Sequence, residues 1–150
     1  MIPRGSEGIG HVADRVASDL IPKAVNAYVA TDLSCIAALI SMIGQDYDRA
    51  AHVLTREHEA MVEILRAAQP HLGDAGLTRR IGEALALAPS SLRTPDLNQR
   101  ADLMLKLLID LHEAIEAAEA QGQAWAGRLN RTVWAFLDGF AAHRAYDVAF

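Results

Sequence analysis

Residues 94–120 read TPDLNQRADLMLKLLIDLHEAIEAAEA, and this stretch has the features of a long helix. Thr94 can act as the N-cap, Pro95 suits the first helical position, and Asp96 stabilises the positive end of the helix dipole. Apolar residues then recur every three or four positions, which is the period of an amphipathic helix. Because glycine commonly follows the last turn of a helix, Gly122 predicts where this helix ends.

The same periodicity predicts three further long helices and two short ones. The long helices cover residues 22–43, 47–69 and 124–146, and the short ones cover residues 11–19 and 78–87. Gly44 is interpreted as the end of the first long helix and Asp46 as the N-cap of the second. No stretch alternates with a period of two, so no strands are expected. The sequence therefore predicts an all-α fold: an up-down bundle of four main helices with short additional helices, whose hairpins turn near Gly44 and Gly122.

The size and charge of the chain favour one globular domain with an acidic surface. A length of 150 residues is typical of a single domain. We expect residues 1–150 to form it, with residues 1–19 as a loosely attached N-terminal segment that carries a short helix. The formal net charge of −5 and the absence of a long basic run argue against a nucleic-acid partner.

Cysteine usage and hydropathy predict where the protein resides. Cys35 is the only cysteine, so no internal disulfide can form, and the cytoplasm is the predicted location. The longest apolar-rich segment covers residues 34–43. It is shorter than the roughly 20 residues that a helix needs to cross a bilayer, so no membrane association is expected.

Ionisable side chains interrupt the apolar stripes of the predicted helices. Asp32 and Glu57 lie within the stripes of the first two long helices, and His58 lies at the edge of the second stripe. His112 lies within the stripe of the third long helix, and Glu116 follows it four residues later on the same side. A buried charge is costly unless it is paired, hydrogen-bonded or bound to a metal, so these five residues are the candidates for a site.

Three interpretations of these candidates stay open: a buried polar network, a ligand or metal site, and a bundle face that is open to water. A hairpin between the first two long helices would place Asp32 level with Glu57 and His58, and His112 would join them if the two hairpins align. The favoured interpretation is a buried network of ion pairs. One alternative is a divalent metal site with iron, manganese or zinc, whose ligands would be Asp32, Glu57, His58, His112 and Glu116.

The favoured function is the one that requires no special residues, and the first long helix predicts self-association. Residues 22–43 are apolar nearly all round that helix, which indicates burial on several sides. One small bundle would not cover so much apolar surface. We therefore expect a helical interaction or oligomerisation module without catalysis, whose partner is a further copy of the same chain.

Two other functions are alternatives. The first is a small-molecule-binding or metal-binding helical bundle with a carboxylate and histidine site in its core. The second is a phosphotransfer bundle, which requires an exposed histidine. His112 is predicted to be buried, and nothing around the exposed His52 distinguishes it. The sequence identifies no catalytic residue and no cofactor-binding residue, so it leaves enzymatic activity open.

Overall fold

The structure is a computed structural model that describes residues 4–87 and 90–147. It contains the α-helices α1 (Gly5–Arg15), α2 (Ala27–Ala68), α3 (Ala75–Ala86), α4 (Thr94–Ala120) and α5 (Ala126–His143). A π-helical turn, Val16–Leu20, and the 3-10 turns Ile21–Lys23 and Gln69–His71 lie between them. The described residues include no strand, so the predicted all-α class is confirmed.

Helix α2 corrects the predicted boundaries. It is continuous from Ala27 to Ala68, so Gly44 does not end a helix, Asp46 is not an N-cap, and the first predicted hairpin is wrong. Gly44 has a different role, because a Cβ atom there would lie 3.0 Å from Cγ2 of Ile9 in α1. Without a side chain, Gly44 lets α1 pack closely against α2. The up-down arrangement of four main helices is therefore not confirmed, since two of those four are one helix.

The chain divides into two compact units, of which the first contains residues 1–50 and 145–150. In the described part of this unit, α1 runs antiparallel to the first half of α2. Gly5 leaves no space for a side chain beside the Tyr47 ring, and Ile9 lies against Gly44. The predicted short helix of the N-terminal segment therefore begins at Gly5 rather than at His11.

The second unit, residues 51–144, contains a main apolar core and a smaller cluster of Leu54, Leu97 and Ala101. Its fully buried large side chains are Met61, Leu65, Ile81, Met104, Leu111, Ile115 and Val133. Helices α4 and α5 form a hairpin, and Gly122 adopts φ +76° at the turn, as the C-terminal glycine of a helix commonly does. The Gly122 N–H donates to the Glu119 carbonyl at 2.9 Å, which satisfies one of the last carbonyl groups of α4. The second predicted hairpin is confirmed.

Several predicted helix boundaries are shifted. The first long helix begins at Ala27, since Pro22 lies in the 3-10 turn Ile21–Lys23, and the last long helix is Ala126–His143 rather than 124–146. Helix α3 begins at Ala75 rather than Thr78, because the Asp74 carboxylate accepts hydrogen bonds from the Gly76 and Leu77 N–H groups at 2.7 and 3.2 Å. Helix α4 includes Thr94 itself and has no side-chain cap. Aspartate caps a helix at least as well as threonine does, so the earlier acceptor determines where α3 begins.

Candidate functional site

The five predicted site residues are distributed over three environments. Asp32 is exposed on the first half of α2, whereas Glu57 is buried on its second half. Because both residues lie on one continuous helix, no hairpin places them at one level. Among the residues that the structure describes, no group of three or more His, Cys, Asp or Glu side chains is arranged to hold a metal ion. Metal binding therefore stays a prediction, because the described residues do not bring the predicted ligands together.

Glu57 is the buried charged residue of the second unit, and it is paired with Arg144. The Arg144 Nη2 donates to Oε2 of Glu57 at 2.8 Å, and Nε donates to Oε1 at 3.2 Å, which is a bidentate ion pair. The two side chains differ sharply in exposure, with 2% for Glu57 and 46% for Arg144. The guanidinium also lies 4.1 Å from the centroid of the Phe140 ring. Sequence analysis identified Glu57 but missed this partner, which directly follows α5.

His58 accepts a hydrogen bond from the side chain of Arg100. The Arg100 Nε lies 3.0 Å from Nε2 of the imidazole, and an N–H donor there requires a neutral acceptor nitrogen. Burial lowers the pKa of His58, the charge of Arg100 lowers it further, and Glu59 opposes both effects. Burial also lowers the pKa of Arg100. The surroundings of His58 at the contact between α2 and α4 therefore favour its neutral form.

This arrangement makes stability depend on pH in a defined direction. The pKa of His58 in the folded chain is lower than its ordinary value of 6.5, so the unfolded chain takes up this proton first as pH falls. The stability that His58 contributes is fully present above its pKa in the unfolded chain. This stability is lost as pH falls through its lower pKa in the folded chain. We expect the free energy of unfolding to fall more steeply from about pH 7.5 to about pH 5 in the wild type than in His58→Gln.

Denaturant titrations across this pH range measure the effect. The glutamine oxygen can still accept from Arg100, so the substitution removes the titration and keeps an acceptor. His52→Gln, at an exposed histidine of the same helix, is the matched control and should keep the wild-type slope. Parallel slopes for wild type and His58→Gln would show that the environment of His58 does not favour its neutral form.

His112 belongs to a polar contact between α4 and α5. Its Nε2 lies 2.9 Å from Oδ1 of Asn130, and the Asn130 amide donates to Glu119. Glu116 Oε1 is 3.7 Å from the same imidazole nitrogen, and the Trp134 ring meets the imidazole edge-on at a centroid distance of 5.5 Å. The half-buried His112 thus connects the two helices of the confirmed hairpin. Its spacing to Glu116 gives a helical ion pair when the imidazole is protonated.

A groove of about 800 Å³ runs along the second unit between the second half of α2 and α5. Its apolar lining comes from Ala60, Ile64, Ala67, Leu129, Ala135, Phe136, Gly139 and Phe140. Charged residues of both helices line it as well, among them Arg56, Glu59, Glu63 and Arg128. Sequence analysis did not predict this groove, because no pattern within either helix indicates that the two lie side by side.

The most apolar stretch of the chain is among its least buried. Large apolar side chains with exposed fractions between 40% and 81% recur along the first half of α2. We call this set the α2 apolar face, and it consists of Tyr28, Ile36, Leu39, Ile43 and Tyr47. In the described residues, this helix holds the one window that is long and apolar enough to cross a membrane, with a mean hydropathy of 1.6. Only 6% of that window is buried.

No family model, no curated protein and no solved structure matches the chain. The fold and these surfaces define the protein as a member of the all-α class. It has a histidine hydrogen-bonded to an arginine and a buried ion pair in its second unit. The second unit also has an apolar groove, and the first unit has an exposed apolar helix face.

Proposed function

We propose that this protein is a helical interaction module that self-associates through the α2 apolar face. The observation that carries the proposal is the exposure of this face, which includes four side chains more than half exposed. Contiguous apolar patches of this kind mark interaction sites in soluble proteins. Fully burying one such side chain contributes about 1.5–3 kcal/mol, so several of them together supply enough free energy for association.

The spacing of the face supports a partner that is also helical. From Ile36 to Tyr47, its members follow one another at intervals of three or four residues. The step from Tyr28 to Ile36 is larger and contains Asp32. A stripe with this spacing packs along the corresponding stripe of another helix. A second copy of the chain carries that stripe, and symmetric association of two copies is the commonest arrangement of soluble oligomers.

The charges near the face favour a second copy over a lipid bilayer. Asp32 lies between Tyr28 and Ile36 on the same helix. Helix α1 lies against the far end of the stretch and carries the exposed residues Asp14 and Arg15. Each charged side chain placed at the centre of a bilayer costs about 2.5–3.5 kcal/mol on insertion scales. An aqueous interface avoids these costs, so the proposal includes a cytoplasmic location and no nucleic-acid or membrane partner.

Sedimentation equilibrium of purified wild type, Ile43→Asp and Ile109→Asp tests the proposal. Ile43 and Ile109 are both exposed isoleucines, but Ile109 lies on α4 and outside the α2 apolar face. We expect the wild type to be dimeric or larger at tens of micromolar. Ile43→Asp should weaken association by at least tenfold, because its charge would have to be desolvated at the interface. Ile109→Asp should associate like the wild type.

Two outcomes would overturn the proposal. One is a monomeric wild type over the whole concentration range. The other is co-sedimentation of the wild type with phosphatidylcholine vesicles that Ile43→Asp abolishes, since this would identify lipid as the partner of the face. Circular dichroism of each variant verifies that the helices are intact, so that a loss of association reports on the surface and not on folding.

A further inference from the structure

The groove between α2 and α5 has the size and the lining of a small-molecule site. Its volume of about 800 Å³ lies within the range of roughly 300–1,000 Å³ that is usual for ligand pockets. Four of the residues along it are very small, which keeps the two helices from filling the space with their own side chains: Ala60, Ala67, Ala135 and Gly139. Phe136 and Phe140, which are only partly buried, supply larger apolar surfaces for a ligand to contact.

Most charges that line the groove are already neutralised by neighbours. Arg56 is paired with Glu59 at 3.4 Å, and Glu63 with Arg66 at 3.1 Å. Glu57, which lines the groove as well, is held by Arg144. Each of the three acidic residues of the lining is thus paired with an arginine, so the groove has no unpaired negative charge.

Arg128 is the exception among the arginines of the lining. It lies in the first turn of α5, and no acidic side chain among residues 4–87 and 90–147 comes within ion-pair distance of its guanidinium. The groove therefore combines an apolar floor with one guanidinium that has no carboxylate of its own. A guanidinium binds a carboxylate or another planar anion through paired hydrogen bonds.

We propose that this groove binds a small amphiphile with a single anionic head group, such as a medium-chain carboxylate. The head group pairs with Arg128, and the apolar chain lies along Phe136 and Phe140. Both parts of the ligand are needed, because the apolar floor gives a small polar anion nothing to contact and Arg128 disfavours a cationic amphiphile. This site lies within the second unit and does not depend on self-association through the α2 apolar face.

Isothermal titration with decanoate, kept below its micelle concentration, tests the site. Decanol and decyltrimethylammonium provide the neutral and cationic versions of the same chain. We expect decanoate to bind once per chain and to bind more tightly than either of the other two. Arg128→Gln should weaken decanoate binding by about tenfold and leave decanol binding unchanged, because a hydrogen bond to a charged group contributes roughly that much.

Two further variants localise the binding. Arg131→Gln removes a cation from the same helix at a position outside the groove, so it should bind decanoate like the wild type. Ala135→Phe fills the groove from a position exposed to solvent and should abolish binding without unfolding α5. Equal binding of the three compounds with ten-carbon chains, or unchanged binding by Ala135→Phe, would overturn the proposal. Measuring decanoate binding by Ile43→Asp as well separates this result from the outcome of the self-association experiment.

Discussion

Arg144→Met is expected to lower the free energy of unfolding by about 3 kcal/mol, because it leaves the buried Glu57 carboxylate without its cation. The methionine keeps much of the apolar volume next to Phe140 and removes the guanidinium. The two ends of the pair are not equivalent, since Glu57 is almost fully buried and Arg144 is half exposed. Losing the exposed partner is therefore the more damaging change. Urea denaturation monitored by circular dichroism measures the difference.

The reverse substitution and the double variant test this reasoning. Glu57→Gln should cost only about 1 kcal/mol, because Arg144 can turn to water and the amide oxygen still accepts one hydrogen bond. Adding Glu57→Gln to Arg144→Met removes the stranded charge, so the double variant should be more stable than Arg144→Met alone. If the double variant is instead the least stable of the three, an unpaired buried carboxylate is not the cause of the loss.

The α4–α5 hairpin could be predicted from sequence because its signals are local. A proline in the first turn, a regular apolar period and a C-terminal glycine all concern neighbouring residues, and Gly122 takes the expected positive φ. Across this hairpin, His112 contacts Asn130 and Trp134.

The boundary at Gly44 could not be predicted because its cause is not local. A glycine at the end of a helix and a glycine under a closely packed helix look the same in a single sequence. Only the contact with Ile9 distinguishes them, and Ile9 belongs to a different helix. Because α2 continues past Gly44, Asp32 is not level with Glu57 and His58, although the burial of Glu57 itself was predicted correctly.

The partners of the site residues show the same limit. The stripe pattern identified Glu57 and His58 as ionisable residues on or beside a core face, which each helix determines by itself. Their partners Arg144 and Arg100 lie 87 and 42 positions away along the chain. Which cation meets which acid or base depends on how the helices pack. A sequence pattern can therefore indicate a buried charge without identifying the group that neutralises it.

Burial separates the leucines that hold the second unit together from those available for association. Leu111 on α4 is fully buried, whereas Leu39 on the α2 apolar face is 57% exposed. Leu111 lies in the core cluster with Met104, Ile115 and Val133. If the proposed division of roles is correct, truncating one leucine affects the folding of the chain and truncating the other affects only its association.

Leu111→Ala is expected to lower the free energy of unfolding by about 3–4 kcal/mol, because it removes buried methyl groups and leaves a cavity that helices on several sides cannot close. Leu39→Ala, the matched control, should change the stability of the dissociated chain by less than about 0.5 kcal/mol. Urea titrations at submicromolar concentration measure both, since association contributes least there. At tens of micromolar, Leu39→Ala should lose the extra stability that the wild type gains with concentration. A large loss for Leu39→Ala at the lowest concentration would instead place Leu39 in the folded core of a single chain and remove the α2 apolar face as an interface.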